Sequence, residues 1–195
     1  MKCLAGGAIA RCLFALVLLA ACAQVSVAQG RWQKFSGPDQ DFTVEFPSAP
    51  IHTSHPNNLE GSPIEDYTII SGDHSFGITY QDAPEPVDGT SRESLRALAE
   101  GCRLDANSTG RKLLRVRRLP GGVVECFSSG PSGNSVHRTD QRLERNFVRG
   151  RRYYTLSVIS WAKAGVNRAA AARFFSSFRL TTAQGSRGDS TGRVR

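Results

Sequence analysis

KLLRVRRLPGGVVECFS, residues 112–128, reads as a strand, a tight turn and a returning strand. β-Branched, aromatic and long aliphatic side chains flank Pro120-Gly121-Gly122, and such a triplet reverses the chain rather than continuing an element. In the returning strand, successive side chains point to opposite faces. Val124 and Cys126 therefore share one face, and Val123, Glu125 and Phe127 share the other. The incoming strand carries Lys112, Arg115, Arg117 and Arg118. A hairpin joins antiparallel strands, so this stretch predicts an antiparallel sheet, strongly basic along one strand.

Working back from it, residues 95–102 carry Leu95, Leu98, Ala99 and Cys102 at i, i+3, i+4 and i+7. That is one stripe of a helix packed on a sheet. Thr90 or Ser91 caps it, with Glu93 in its first turn. Cys102 falls on the packed side, where a strand cysteine can meet it. Further back, Phe42, Val44 and Phe46 alternate with polar residues. Residues 32–36 pair with them across Gly37-Pro38-Asp39. Residues 64–70 and 75–81 make a second hairpin about Ser71-Gly72-Asp73. Residues 51–62 are polar and rich in Pro, Asn and Gly, and read as a loop.

Forward from the opening stretch, residues 130–134 turn the chain. Residues 136–148 and 152–161 form a long hairpin about Arg149-Gly150. Residues 167–178 form a second helix with Ala170, Ala171, Phe174, Phe175 and Phe178 on its apolar side. The tail TTAQGSRGDSTGRVR, residues 181–195, has no apolar periodicity and reads as disordered. Arg187-Gly188-Asp189-Ser190 matches an adhesion tetrapeptide, but a tail of this composition yields it by chance. The order of elements predicts an α+β fold: one domain over residues 31–180, with a central antiparallel β-sheet flanked by two helices.

Five blocks carry a family resemblance: WQKFSGPDQDFTVEFPSAP, FGITYQDAP, LPGGVVE, FVRGRRYYTLSV and RFFSSFRL. In order and spacing they resemble successive blocks of the PsbP-like α/β/α sandwich. That group includes a photosystem II subunit, a Ran-binding import factor and exported bacterial proteins of unknown role. The resemblance spans about residues 31–180. It implies a central antiparallel sheet between helices and a non-catalytic binding or accessory role. It transfers no functional residue.

The first 28 residues have the order of an export signal. Lys2 and Arg11 are basic, residues 13–21 (LFALVLLAA) are apolar, and small residues follow. The apolar run is shorter than the ~20 residues that span a bilayer. Two processing sites fit. Ser26-Val27-Ala28 suits cleavage before Gln29. Leu19-Ala20-Ala21-Cys22 resembles a lipobox, which places a lipidated Cys22 at the mature terminus and a signal over residues 1–21. The expected location is extracytoplasmic, periplasmic or secreted, with a membrane anchor through Cys22 as the second form. Once the signal is removed, Cys102 and Cys126 are the cysteines left in the body of the domain. An exported compartment permits them to pair, with two separately buried thiols as the alternative. The bond closes a loop of about 25 residues, worth about 3 kcal/mol by chain entropy.

Charge is divided sharply. Residues 31–100 hold 4 basic and 12 acidic side chains; residues 101–195 hold 19 and 5. Arg115, Arg117, Arg142, Arg145, Arg151 and Arg152 are the candidate surface for an anionic partner, and the plainer reading of the basic half is a solvated sheet face partly neutralised by the acidic half. An exported chain seldom meets nucleic acid, so an anionic envelope surface or an acidic protein is the expected partner. No cofactor is implied. Catalytic patterns are weak. His52-x-x-His55 and His74 lie among loop residues without the helical geometry that makes such spacing a metal site. Ser128-Ser129-Gly130 is no nucleophile elbow. The leading expectation is a non-catalytic exported binding module of the envelope. The alternatives are a small hydrolase with its site in residues 51–90, or a structural lipoprotein.

Overall fold

The computed structural model describes residues 31–57, 62–132 and 135–181. The signal with Cys22, and the tail from residue 182 onward, lie outside the described residues. In chain order the elements are β1 (Gln33–Ser36), β2 (Phe42–Phe46), β3 (Ile51–His55), β4 (Ile64–Ser71) and β5 (His74–Asp82). Then come α1 (Arg92–Ser108), β6 (Lys112–Leu119), β7 (Val123–Ser132), β8 (Ser135–Arg149), β9 (Arg152–Ser160), α2 (Arg168–Ser177) and β10 (Arg179–Leu180). The protein is α+β, built on a large antiparallel sheet.

Seven strands form that sheet in the order β3-β4-β5-β9-β8-β7-β6. Two meanders meet at the β5–β9 pairing, where Ile78 faces Leu156 and Tyr80 faces Tyr154. The chain leaves β5 and must reach β6 at the far edge, four strand spacings or about 19 Å away. Helix α1 supplies the crossing; its 17 residues span about 25 Å. Ser91 caps it as expected, its hydroxyl accepting from the Ser94 N–H at 3.0 Å. The opening hairpin turns on Gly121 and Gly122, whose φ values of 74° and 72° place both in the left-handed region.

The first hairpin pairs as expected, Gln33↔Phe46 to Ser36↔Thr43. β1 and β2 do not join the large sheet; with β10 they make a separate three-stranded sheet in the order β1-β2-β10. This small sheet and α2 cover one face of the large one. Phe42, Phe46 and Phe174 are fully buried there with Phe76, Ile78, Leu156 and Val158. The aromatic rings pack edge-on and tilted: Phe46 to Phe174 at 5.3 Å, Phe76 to Phe174 at 5.6 Å. The opposite face takes α1, whose Leu95, Leu98, Ala99 and Cys102 pack on Leu113, Val116, Val124 and Cys126. Cys102 and Cys126 are joined in a disulfide, their Cα atoms 6.3 Å apart.

Three further differences are local. Residues 51–55, read as loop, are the edge strand β3, paired with β4 from Ile51↔Thr68 to His55↔Ile64. All five are exposed, so no buried side of an alternating pattern marks them in the sequence. Residues 130–132 of the turn expected over 130–134 belong to β7, which runs to Ser132; residues 133 and 134 lie outside the described residues. Helix α2 stops at Ser177; Phe178 caps it in extended conformation and still packs on the aromatic core.

Candidate functional site

The structure divides the six candidate arginines into three groups. Arg142 lies three residues from Arg145 on β8, so the two side chains take opposite faces. Arg142 sits beside α1, its Nη1 3.5 Å from Asp105 and 3.4 Å from Glu144. Burial holds the Glu144 carboxyl above its usual range, against the opposing pull of Arg142. Arg151 and Arg152 lie at another end of the sheet. Arg151 Nε donates to the Ala83 carbonyl at 3.1 Å. Arg152 grips Asp82 with two bonds of 2.6 and 3.0 Å and also meets Asp41. Those hydrogen bonds from Arg152 lower the Asp82 pKa, and the same contacts raise that of Arg152. Tyr154 donates to Asp41 at 2.9 Å, and burial lifts its phenol above the ordinary value.

Arg115, Arg117 and Arg145 are brought together. Glu125 on β7 lies opposite Arg117 of β6 and Arg145 of β8 in the ladder. Arg117 Nε and Arg115 Nη2 reach Glu125 Oε1 at 2.9 and 3.4 Å, and Arg145 Nε reaches Oε2 at 3.1 Å. Glu125 is 1% exposed, whereas the three arginine side chains are 30–50% exposed. Aromatic rings support two of them: Arg145 lies 4.5 Å from the Phe175 ring and Arg115 5.8 Å from that of Phe127.

The stoichiometry here differs from that of a one-to-one ion pair. Arg111 and Asp140 pair elsewhere in the sheet one to one, both buried. At Glu125 one carboxylate meets three guanidiniums, which leaves two positive charges over. A buried carboxylate needs such partners. Each guanidinium has five donors in a planar fork, so holding Glu125 leaves N–H groups facing water. Those groups are oriented and half-exposed, and they suit a carboxylate or phosphate. Glu125 is the residue that sequence reasoning missed. Its signal was a lone acid between Val123 and Phe127 on one strand face, beside a strand bearing four cations.

The histidines do not converge. His52 and His55 are strand residues three apart and face opposite sides. His52 stacks on Tyr67 at 4.5 Å and its Nε2 lies 2.5 Å from Glu65. His52 and Ser54 both bond Glu65, which lowers its pKa. The carboxylate thus sits between serine and imidazole, an order that does not set His52 to take the Ser54 proton. His74 begins β5 at the opposite end of β4 and accepts from the Asn167 N–H at 3.1 Å. Among the described residues, no three His, Cys, Asp or Glu side chains gather to hold a metal. No helix among the described residues is long and apolar enough to cross a membrane.

Fold and site together define an α+β sandwich with an arginine cluster at one edge of its sheet. No protein-family model and no curated protein matches the chain. Solved structures do. One is a Bacteroides thetaiotaomicron protein, 14% identical with a TM-score of 0.45, the match covering 80% of this chain and 50% of that one. The chain thus spans half the length of that protein. Another is cyanobacterial PsbP (CyanoP) of Synechocystis sp., 13% identical with a TM-score of 0.48, covering 80% and 96% respectively. A PsbP is therefore among the structures this chain is similar to. The likeness concerns the course of the chain alone; the α+β class stands on the strand register described above.

Proposed function

We propose that the chain is a non-catalytic, exported binding module of the cell envelope whose arginine-rich edge receives an anionic partner. The observation that supports this is the three-to-one ratio of guanidinium to carboxylate at Glu125. An ion pair built for stability alone has no use for two surplus charges held half-exposed. Lys112 and Arg118 on the same edge strand add to the field. The signal-like residues 1–28 and the Cys102–Cys126 bond fit an oxidising compartment outside the cytoplasm. There an acidic lipid surface is the simplest anionic partner, and a lipid on Cys22 places the domain beside one.

Each basic residue near an anionic surface contributes about 1 kcal/mol. The double variant Arg115→Gln/Arg117→Gln leaves Arg145 on Glu125 and removes two charges. Sedimentation with phosphatidylglycerol vesicles is expected to fall about thirtyfold in partition, and wild-type binding to vanish at high salt. Equal binding to phosphatidylcholine vesicles, or binding indifferent to salt, overturns the reading. Mass spectrometry of the mature N-terminus decides between acylated Cys22 and free Gln29.

A further inference from the structure

On the same face as Glu125, the sheet opens into a cleft of about 430 Å³ between the β6–β7 turn and the end of α2. That volume lies within the ~300–1,000 Å³ of small-molecule sites. Its floor and walls are apolar: Val123, Phe147, Leu156, Phe175 and Phe178. Helix α2 ends at Ser177, and the chain continues through Phe178 into β10, which pairs with β2. Its rim is cationic, formed by Arg145, Arg149 and Arg179.

Two of the rim arginines, Arg149 and Arg179, are held by groups that do not neutralise them. Arg149 donates to the carbonyls of Gly121 and Val148 and lies 5.6 Å from the Phe147 ring. Arg179 donates to the carbonyls of Ser176 and Phe178 at the C-terminal end of α2. Carbonyls fix a guanidinium in place but carry no net charge. Among the described residues neither arginine forms a salt bridge with a carboxylate, and Arg145 shares Glu125 with two others. The cleft therefore couples an apolar interior to a preorganised, uncompensated cationic mouth.

We propose that this cleft binds a small anionic amphiphile: one apolar chain laid against Phe147, Leu156 and Phe175, and one acidic headgroup between Arg149 and Arg179. The proposal deepens the anionic-partner reading and rests on it. A neutral amphiphile wastes the rim, and a cationic one is repelled by it. A compact inorganic anion leaves the apolar floor wet. Each methylene buried contributes a factor of about four in affinity at most, so chain length must matter as well as charge.

The test is calorimetric titration with dodecanoate below its micellar concentration, on the mature domain. Octanoate is expected to bind at least tenfold more weakly, and dodecyltrimethylammonium not to compete. Arg149→Gln/Arg179→Gln is expected to weaken dodecanoate at least tenfold. Leu119→Trp, at the cleft wall, is expected to block it while circular dichroism shows the fold intact. Dodecanoate binding that ignores chain length, or survives both variants undiminished, overturns the proposal. If dodecanoate does not bind while phosphatidylglycerol vesicles still do, the cleft proposal falls and the anionic-partner reading stands. If neither binds, both fall.

Discussion

Replacing Cys102 and Cys126 with alanine tests how α1 is held. The bond closes a loop between residues 24 apart in sequence. The chain-entropy relation gives about 3.5 kcal/mol for a loop of that length. For a domain of this size, each kcal/mol moves Tm by about 2–4 °C, so the variant should melt about 7–14 °C lower. The structure also says where the loss falls. The α1 face of the sheet has a small core: Leu95, Leu98 and Ala99 on Leu113, Val116 and Val124. The other face has the large aromatic core under β1, β2 and α2. Without the disulfide, α1 should open ahead of the sheet. Hydrogen exchange read by mass spectrometry should then show residues 92–108 losing protection while β5 and β9 keep theirs. A Tm shift below about 2 °C, or protection lost evenly over α1 and the central strands, would refute this account.

Three other outcomes follow from single residues. Phe174→Ala empties a fully buried site between Phe46 and Phe76 and should cost about 3–5 kcal/mol in urea unfolding. Asp82 is a carboxylate with a lowered folded pKa. Its stabilisation is present above the unfolded value of about 3.9 and is lost as pH falls through the lower folded value. Asp82→Asn should therefore lower stability at neutral pH and flatten the acid limb of the stability profile; an unchanged acid limb counts against the Arg152–Asp82 pair. Glu144 is the opposite case, a carboxyl whose folded pKa is raised by burial. Its charged form opposes folding above that raised value, and the penalty fades as pH falls toward the unfolded one. Glu144→Gln should raise Tm at pH 7 and leave it unchanged at the acid end; a lower Tm at pH 7 contradicts the burial cause.

Much of this architecture is legible in local pattern. Alternation over residues 123–127 sorts Val124 and Cys126 from Val123, Glu125 and Phe127, and the strands keep that sorting. The stripe of Leu95, Leu98, Ala99 and Cys102 places the helix and aims one cysteine at the other. β3 escapes such reading because an edge strand is made by backbone bonds to β4, while all five of its side chains stay in solvent. The departure of β1 and β2 escapes it too. Their alternation demands a buried face but does not say against what, and the answer depends on Phe174 and Phe178 arriving from the far end of the chain.

The site shows the same division. Composition alone places the cations in the second half of the chain, and period two alone parts Arg142 from Arg145. Which arginines find a carboxylate is decided by register across β6, β7 and β8, since a ladder offset by one residue turns Glu125 to the other face. Whether an arginine's charge is offset depends on whether its partner is a carboxylate, as for Arg152, or a carbonyl, as for Arg149 and Arg179. The sequence by itself determined the antiparallel α+β class, the two cysteines available to pair and the basic half, because each follows from spacing or count along one chain. Only the tertiary structure decided that three arginines share one buried glutamate beside an apolar cleft, because that depends on which side chains distant segments bring within a few ångströms.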